Sequence, residues 1–81
     1  MSFSVYILTC ADGTLYTGIA KDVVKRIEEH NTHERGAKYT RARRPVKLVY
    51  RKECENRSEA QKEECRIKKL TRLEKLNLIR L

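Results

Sequence analysis

No apolar run in the 81-residue chain approaches the ~18 residues that a membrane-spanning helix needs. The start, Met1-Ser2-Phe3, has no basic flank before an apolar stretch, so no secretory leader is expected from it. Cysteines are few (Cys10, Cys54 and Cys65), odd in number and without a C-x-x-C pair. That pattern fits free thiols in a cytoplasmic protein and argues against a disulfide framework. P-loop, G-x-S-x-G and zinc-ligand spacings are all missing, which removes the common enzyme signatures. There is no internal repeat and no low-complexity tract. At this length the expectation is one domain, residues 1–81, whose small core must be packed economically.

Acidic residues are also missing from one long stretch. Arg35, Lys38, Arg41, Arg43, Arg44 and Lys47 follow one another with no Asp or Glu between them. Over the whole chain, 19 Lys and Arg against 11 Asp and Glu leave a formal charge of +8, a balance that suggests a polyanionic partner. Tyr39 lies inside the basic run, where its ring could stack on a base or sugar. Gly36 and Pro45 interrupt the run and it has no apolar face at helical spacing, which disfavours a membrane surface as the partner. Nucleic acid is the better match, with Lys38, Tyr39, Arg41, Arg43 and Arg44 as candidate contacts.

What is present begins with two short apolar segments, residues 3–10 and 14–19, joined through Asp12-Gly13, a strong hairpin signal. A two-residue loop would place Tyr6 and Tyr16 on opposite faces and leave both faces mixed. A three-residue loop, Ala11-Asp12-Gly13, pairs Cys10 with Thr14 and gives Gly13 the left-handed position of a bulged turn. Val5, Ile7, Leu15 and Ile19 then share one apolar face, and Tyr6, Leu8, Cys10, Tyr16 and Gly18 share the other. The three-residue loop is therefore predicted. It makes Tyr6 and Tyr16 diagonal neighbours, ~7–8 Å apart at the backbone.

Asp22 is a suitable N-cap for a helix from Val23 to about Asn31, with Val23, Val24 and Ile27 as its apolar stripe. Arg26 and His30 project from one face of it, a turn apart. Residues 32–45 form the basic loop. Val46 to Cys54 alternates apolar and charged residues, a third strand with Val46, Leu48 and Tyr50 on one side. Asn56 caps a helix to about Leu70, with Ala60, Ile67 and Leu70 inward. Thr71 and Glu74 have capping-box spacing and open a last helix carrying Leu73, Leu76, Leu78 and Ile79. The predicted fold is α+β, a small three-stranded mixed or antiparallel sheet flanked by three helices in the order ββαβαα.

Singly, the candidate chemical residues have plain explanations: strand tyrosines pack, helix cations are solvated, and Glu59, three after Asn56, completes a capping box. Together they form a pattern. Ser4-Val5-Tyr6 is followed ten positions on by Tyr16-Thr17-Gly18, with Arg26 ten residues later and His30 one helical turn beyond. In this order, over about Ser4 to Ile79, the chain resembles the GIY-YIG nuclease family. The likeness is closest to its short single-domain bacterial branch, through "GAKYTR", "RRPVKLVY" and "IKKL". Ser4, Val5 and Thr17 depart from the family tripeptides but keep strand character.

The resemblance implies a divalent-metal-dependent endonuclease acting on DNA, with single-stranded or branched forms among the candidate substrates. Tyr6, Tyr16, Arg26 and His30 would be catalytic, and Glu59 would hold Mg²⁺, with Mn²⁺ as the alternative ion. Tyr16 would take a proton from water, with Tyr6 hydrogen-bonded nearby, and His30 would position water or phosphate or share the proton transfer. Arg26 is always charged and suits a phosphate clamp, and one carboxylate with waters suits Mg²⁺. Two alternatives stand beside this reading. One is a nucleic-acid-binding module of the same fold that cuts weakly or not at all. The other is a small interaction protein working through its terminal helices.

Overall fold

A computed structural model describes residues 2–32 and 42–80. Three strands, β1 (Phe3–Thr9), β2 (Leu15–Ala20) and β3 (Lys47–Cys54), form an antiparallel sheet in the order β2-β1-β3. Three helices, α1 (Val23–Thr32), α2 (Arg57–Lys68) and α3 (Arg72–Arg80), complete the ββαβαα sequence of elements. None of the helices among the described residues is long and apolar enough to cross a membrane.

The hairpin takes the three-residue form. Tyr6 pairs with Gly18 and Leu8 with Tyr16, and the Cys10 amide donates to the Thr14 carbonyl at 2.8 Å. Gly13 has φ of 83°, a left-handed conformation that costs a glycine little. Asp12 stabilises the turn by accepting from the Thr14 amide and hydroxyl. With this register each face of the sheet builds its own core. Val5 and Ile7 pack with Ala60 and Ile67 of α2, while Tyr6, Leu8 and Cys10 pack with Val23 and Val46.

Helix α1 covers the second face. Asp22 caps it by accepting from the Lys25 amide at 3.1 Å. Its inward stripe is Val23, Ile27 and His30, at i, i+4 and i+7. Val24, about 100° further round, is 71 % exposed rather than part of the stripe. At the other end the Asn31 amide donates to the Val46 carbonyl and its oxygen accepts from the Val46 amide, fixing the helix to the chain entering β3.

The third strand does not alternate as its sequence suggests. A bulge sets Ile7 opposite Tyr50 and Leu8 opposite Leu48, leaving Val49 as the extra residue. Val49 and Tyr50 therefore both pack toward Val5 and Ile7, while Leu48 stays more than a third exposed. Asn56 caps α2 by accepting from the Glu59 amide, and α2 ends at Lys68, slightly short of the predicted Leu70. Thr71 and Glu74 form the predicted reciprocal capping box. Helix α3 meets the core through Leu78 and Ile79, and Leu73 is exposed.

Candidate active site

The chemistry-bearing side chains gather where α1 crosses the hairpin. Tyr6, in the central strand, is 1 % exposed, and its hydroxyl lies 2.9 Å from Nε2 of His30. His30 is fully buried on the inward face of α1. Tyr16, half-buried on the edge strand, presents its ring edge to the same imidazole at a centroid distance of 5.2 Å. The Tyr6 ring stands 6.0 Å from it, also edge-on. The Arg26 guanidinium, one turn before His30, pairs with Glu29 at 3.3 Å, and its charge acts on the Tyr6 hydroxyl against the effect of burial. The structure thus brings together Tyr6, Tyr16, Arg26 and His30.

Gly18 makes this arrangement sterically open. It lies opposite Tyr6, and a Cβ there would sit 2.6 Å from the Tyr6 hydroxyl oxygen, 2.8 Å from its Cζ and 3.3 Å from Cε2 of Tyr16. Both rings lie over the bare backbone of the edge strand. The glycine therefore has a packing role that its ordinary φ does not reveal.

Burial sets the protonation of the central pair. Burial first, and then the neighbouring Tyr16, push the Tyr6 hydroxyl up to about 12, so it is a proton donor at neutral pH. Burial, followed by the charges of Arg26 and Arg44, pulls His30 down to about 4, so its imidazole is neutral. With the Tyr6 hydroxyl protonated and the imidazole neutral, the consistent arrangement is donation from Tyr6 to Nε2 of His30. The His30 proton then sits on Nδ1.

Because the folded-state pKa of His30 is below its unfolded value of about 6.5, the unfolded chain binds a proton that the native one does not. Stability from this group is full above pH ~6.5 and is lost as pH falls toward 4, a change on the order of 2–3 kcal/mol. Urea denaturation at pH 7 and pH 4.5 is expected to show this loss for wild type and a clearly smaller one for His30→Gln. Equal losses in both would contradict a neutral buried imidazole.

The remaining candidates lie elsewhere. Glu59 is more than half exposed, with its backbone amide held by Asn56 and its carboxylate 3.9 Å from Lys62. It lines a groove of about 400 Å³ together with Glu53, Glu55 and Glu63, away from the tyrosines. Glu64 lies further along the same helix, and its negative charge opposes ionisation of Tyr6. It sits on the inward stripe of α2, between buried Ala60 and Ile67, and pairs with Lys68 at 3.4 Å. The spacing Ala60-Glu64-Ile67, i, i+4, i+7, places Glu64 on the helix face that meets the sheet.

Of the candidate nucleic-acid contacts, Lys38, Tyr39 and Arg41 lie outside the described residues. Arg43 and Arg44 have structural partners. Arg43 pairs with Asp12 of the hairpin turn at 2.9 Å, and its carbonyl accepts from the Ala11 amide. Arg44 donates to the carbonyls of His30 and Glu29, at the negative end of α1. The two arginines therefore attach the chain leaving the basic stretch to the turn and to the helix that carries His30.

A three-stranded sheet with paired tyrosines over a glycine, and an arginine and histidine one helical turn apart, matches one family. The model of the GIY-YIG catalytic domain covers residues 2–77, and the chain belongs to this family. Membership supports a function of the nuclease type. A UPF0213 protein of Desulfotalea psychrophila is 57 % identical over 94 % of this chain and 69 % of its own length. One from Staphylococcus aureus is 57 % identical over 98 % of this chain and 95 % of its own. The solution structure of a UPF0213 protein from Bacillus halodurans superposes with a TM-score of 0.62 at 43 % identity, over 98 % of this chain and 83 % of that one. A solution structure of an E. faecalis protein gives 0.63 at 42 % identity, over 96 % and 83 %.

Proposed function

We propose that the protein is a metal-dependent endonuclease that hydrolyses phosphodiester bonds in DNA, with Tyr16 activating the attacking water. The observation that carries this reading is the buried Tyr6–His30 hydrogen bond with Arg26 and the Tyr16 ring against it. Tyr6, held protonated, serves as a fixed donor and not as a base. Tyr16 is the tyrosine with access to solvent, so it is the one that can meet the attacking water. Water attacks phosphorus as Tyr16 takes its proton, and the bond to the departing sugar oxygen breaks. Arg26 holds the non-bridging oxygens, whose charge grows in the transition state. His30 keeps Tyr6 and Tyr16 in place.

No group of three or more His, Cys, Asp or Glu stands ready for a metal among the described residues. A single carboxylate nonetheless suits Mg²⁺ or Mn²⁺, which keep several waters and bind phosphate oxygens. Glu64, and not Glu59, is the residue we assign to hold it, because Glu64 lies on the sheet-facing stripe of α2 with Ala60 and Ile67 and its charge is felt at Tyr6, whereas Glu59 is more than half exposed. The ion supplies positive charge to the phosphate oxygens.

Cleavage of end-labelled duplex, single-stranded and branched DNA, with Mg²⁺ against EDTA, tests the assignment. Wild type is expected to cut in Mg²⁺ alone. Glu64→Gln is expected to lose at least ~10²-fold in rate, and Glu59→Gln to stay within about threefold of wild type. A Glu59→Gln variant that loses activity while Glu64→Gln keeps it would reverse the metal assignment.

A further inference from the structure

Resting on the nuclease reading, we infer that the strand being cut continues past Arg26 into a second, cationic groove, where Lys21 and Lys25 bind the phosphates flanking the scissile one. This groove, about 330 Å³, shares Arg26 with the candidate active site. Its apolar floor is Ile19 and Ala20 at the end of β2. Lys21 follows the strand, and Lys25 lies in the first turn of α1, so the two ammonium groups and the guanidinium border one channel.

Two acids share the groove, and each has an internal partner. Asp22 accepts from the Lys25 backbone amide as the helix cap, and Glu29 pairs with Arg26. Neither lysine forms an ion pair with another described residue, and Lys21 instead holds its ammonium over the Phe3 ring at 5.5 Å. Lys52, Lys62 and Lys68, around α2, each have a glutamate. Among the described residues, Lys21 and Lys25 thus have no ion pair to give up on meeting a polyanion, and both lie beside Arg26. The larger groove, beside α2, is lined by four glutamates and Lys52, which makes it the less favourable of the two for a phosphate backbone. Arg43 and Arg44 are bonded to the hairpin turn and to the end of α1, so the groove would add flanking phosphate contacts to any they make. The contact is to the backbone and gives affinity and direction without reading sequence.

The test is fluorescence anisotropy in EDTA with a labelled oligothymidylate of roughly 20 nucleotides, titrated with salt between about 50 and 200 mM. Wild type is compared with Lys21→Gln/Lys25→Gln and with Lys62→Gln/Lys69→Gln, which removes the same charge from exposed sites on and beside α2. The groove variant is expected to bind about five- to tenfold more weakly at the low-salt end. Its log–log salt slope should fall by ~1.4, about 0.7 per lost single-strand contact, with the control variant unchanged. Equal effects in both double variants would mean a diffuse field and overturn the groove. Wild-type binding with a steep slope and no change in the groove variant would also overturn it while leaving the nuclease reading intact. No salt-dependent binding by wild type would overturn both.

Discussion

Tyr16→Phe is expected to lower the single-turnover cleavage rate by ~10²–10⁴-fold, the range associated with loss of a general base. DNA affinity should stay within about twofold, because the phenyl ring keeps its edge contact with His30 and no cation is removed. Denaturation should move by less than ~1 kcal/mol, since the hydroxyl of a half-buried edge-strand tyrosine is not needed for packing. The combination separates chemistry from binding. A variant that binds and folds normally but does not cut places the proton transfer on Tyr16. Tyr6→Phe gives the useful contrast: its hydroxyl is buried and bonded to His30, so its loss should cost stability as well as rate.

Gly18→Ala, which changes no titratable group, is expected to have the second-largest effect. The added methyl would meet the Tyr6 hydroxyl oxygen at 2.6 Å and Cζ at 2.8 Å, and the ring is enclosed by core on the far side. Either the ring or the edge strand must move, lengthening the 2.9 Å bond to His30. A loss of ~1–3 kcal/mol in urea denaturation and at least ~10-fold in cleavage is expected. Combining it with Tyr6→Phe removes the atom in closest conflict. The double variant should therefore be less destabilised than the sum of the single changes. Strict additivity would place the strain elsewhere.

Much of this geometry was legible in the sequence, for identifiable reasons. The hairpin loop length followed from hydrophobic patterning, because a one-residue slip would have exchanged the faces of Val5, Ile7, Tyr6 and Leu8. The caps at Asp22, Asn56 and Thr71 depend on neighbours three residues away and were readable locally. The bulge that turns both Val49 and Tyr50 toward the α2 side was not, since it arises from pairing with β1 more than 40 residues earlier. The partners of Arg43 and Arg44 are likewise distant in sequence, at Asp12 and at the carbonyl end of α1. From the sequence both arginines resembled free cations for DNA. Glu59 and Glu64 differ only in position on one helix, and helical phase distinguishes them: Glu64 shares the inward stripe with Ala60 and Ile67.

The burial of His30 was equally hidden. A histidine four residues after an arginine looks like part of a solvated face, yet its ring is enclosed by two tyrosines contributed by the hairpin. Its placement fixes the account, because a neutral His30 accepting from Tyr6 leaves Tyr16 as the tyrosine available to water.

The most direct measurement is single-turnover cleavage of an end-labelled oligonucleotide by wild type and Tyr16→Phe, each in Mg²⁺ and in EDTA. Wild type should cut in Mg²⁺ and not in EDTA, and Tyr16→Phe should bind the same oligonucleotide without cutting it. Cleavage by Tyr16→Phe at the wild-type rate, or no cleavage by wild type on any substrate in either condition, would contradict the account.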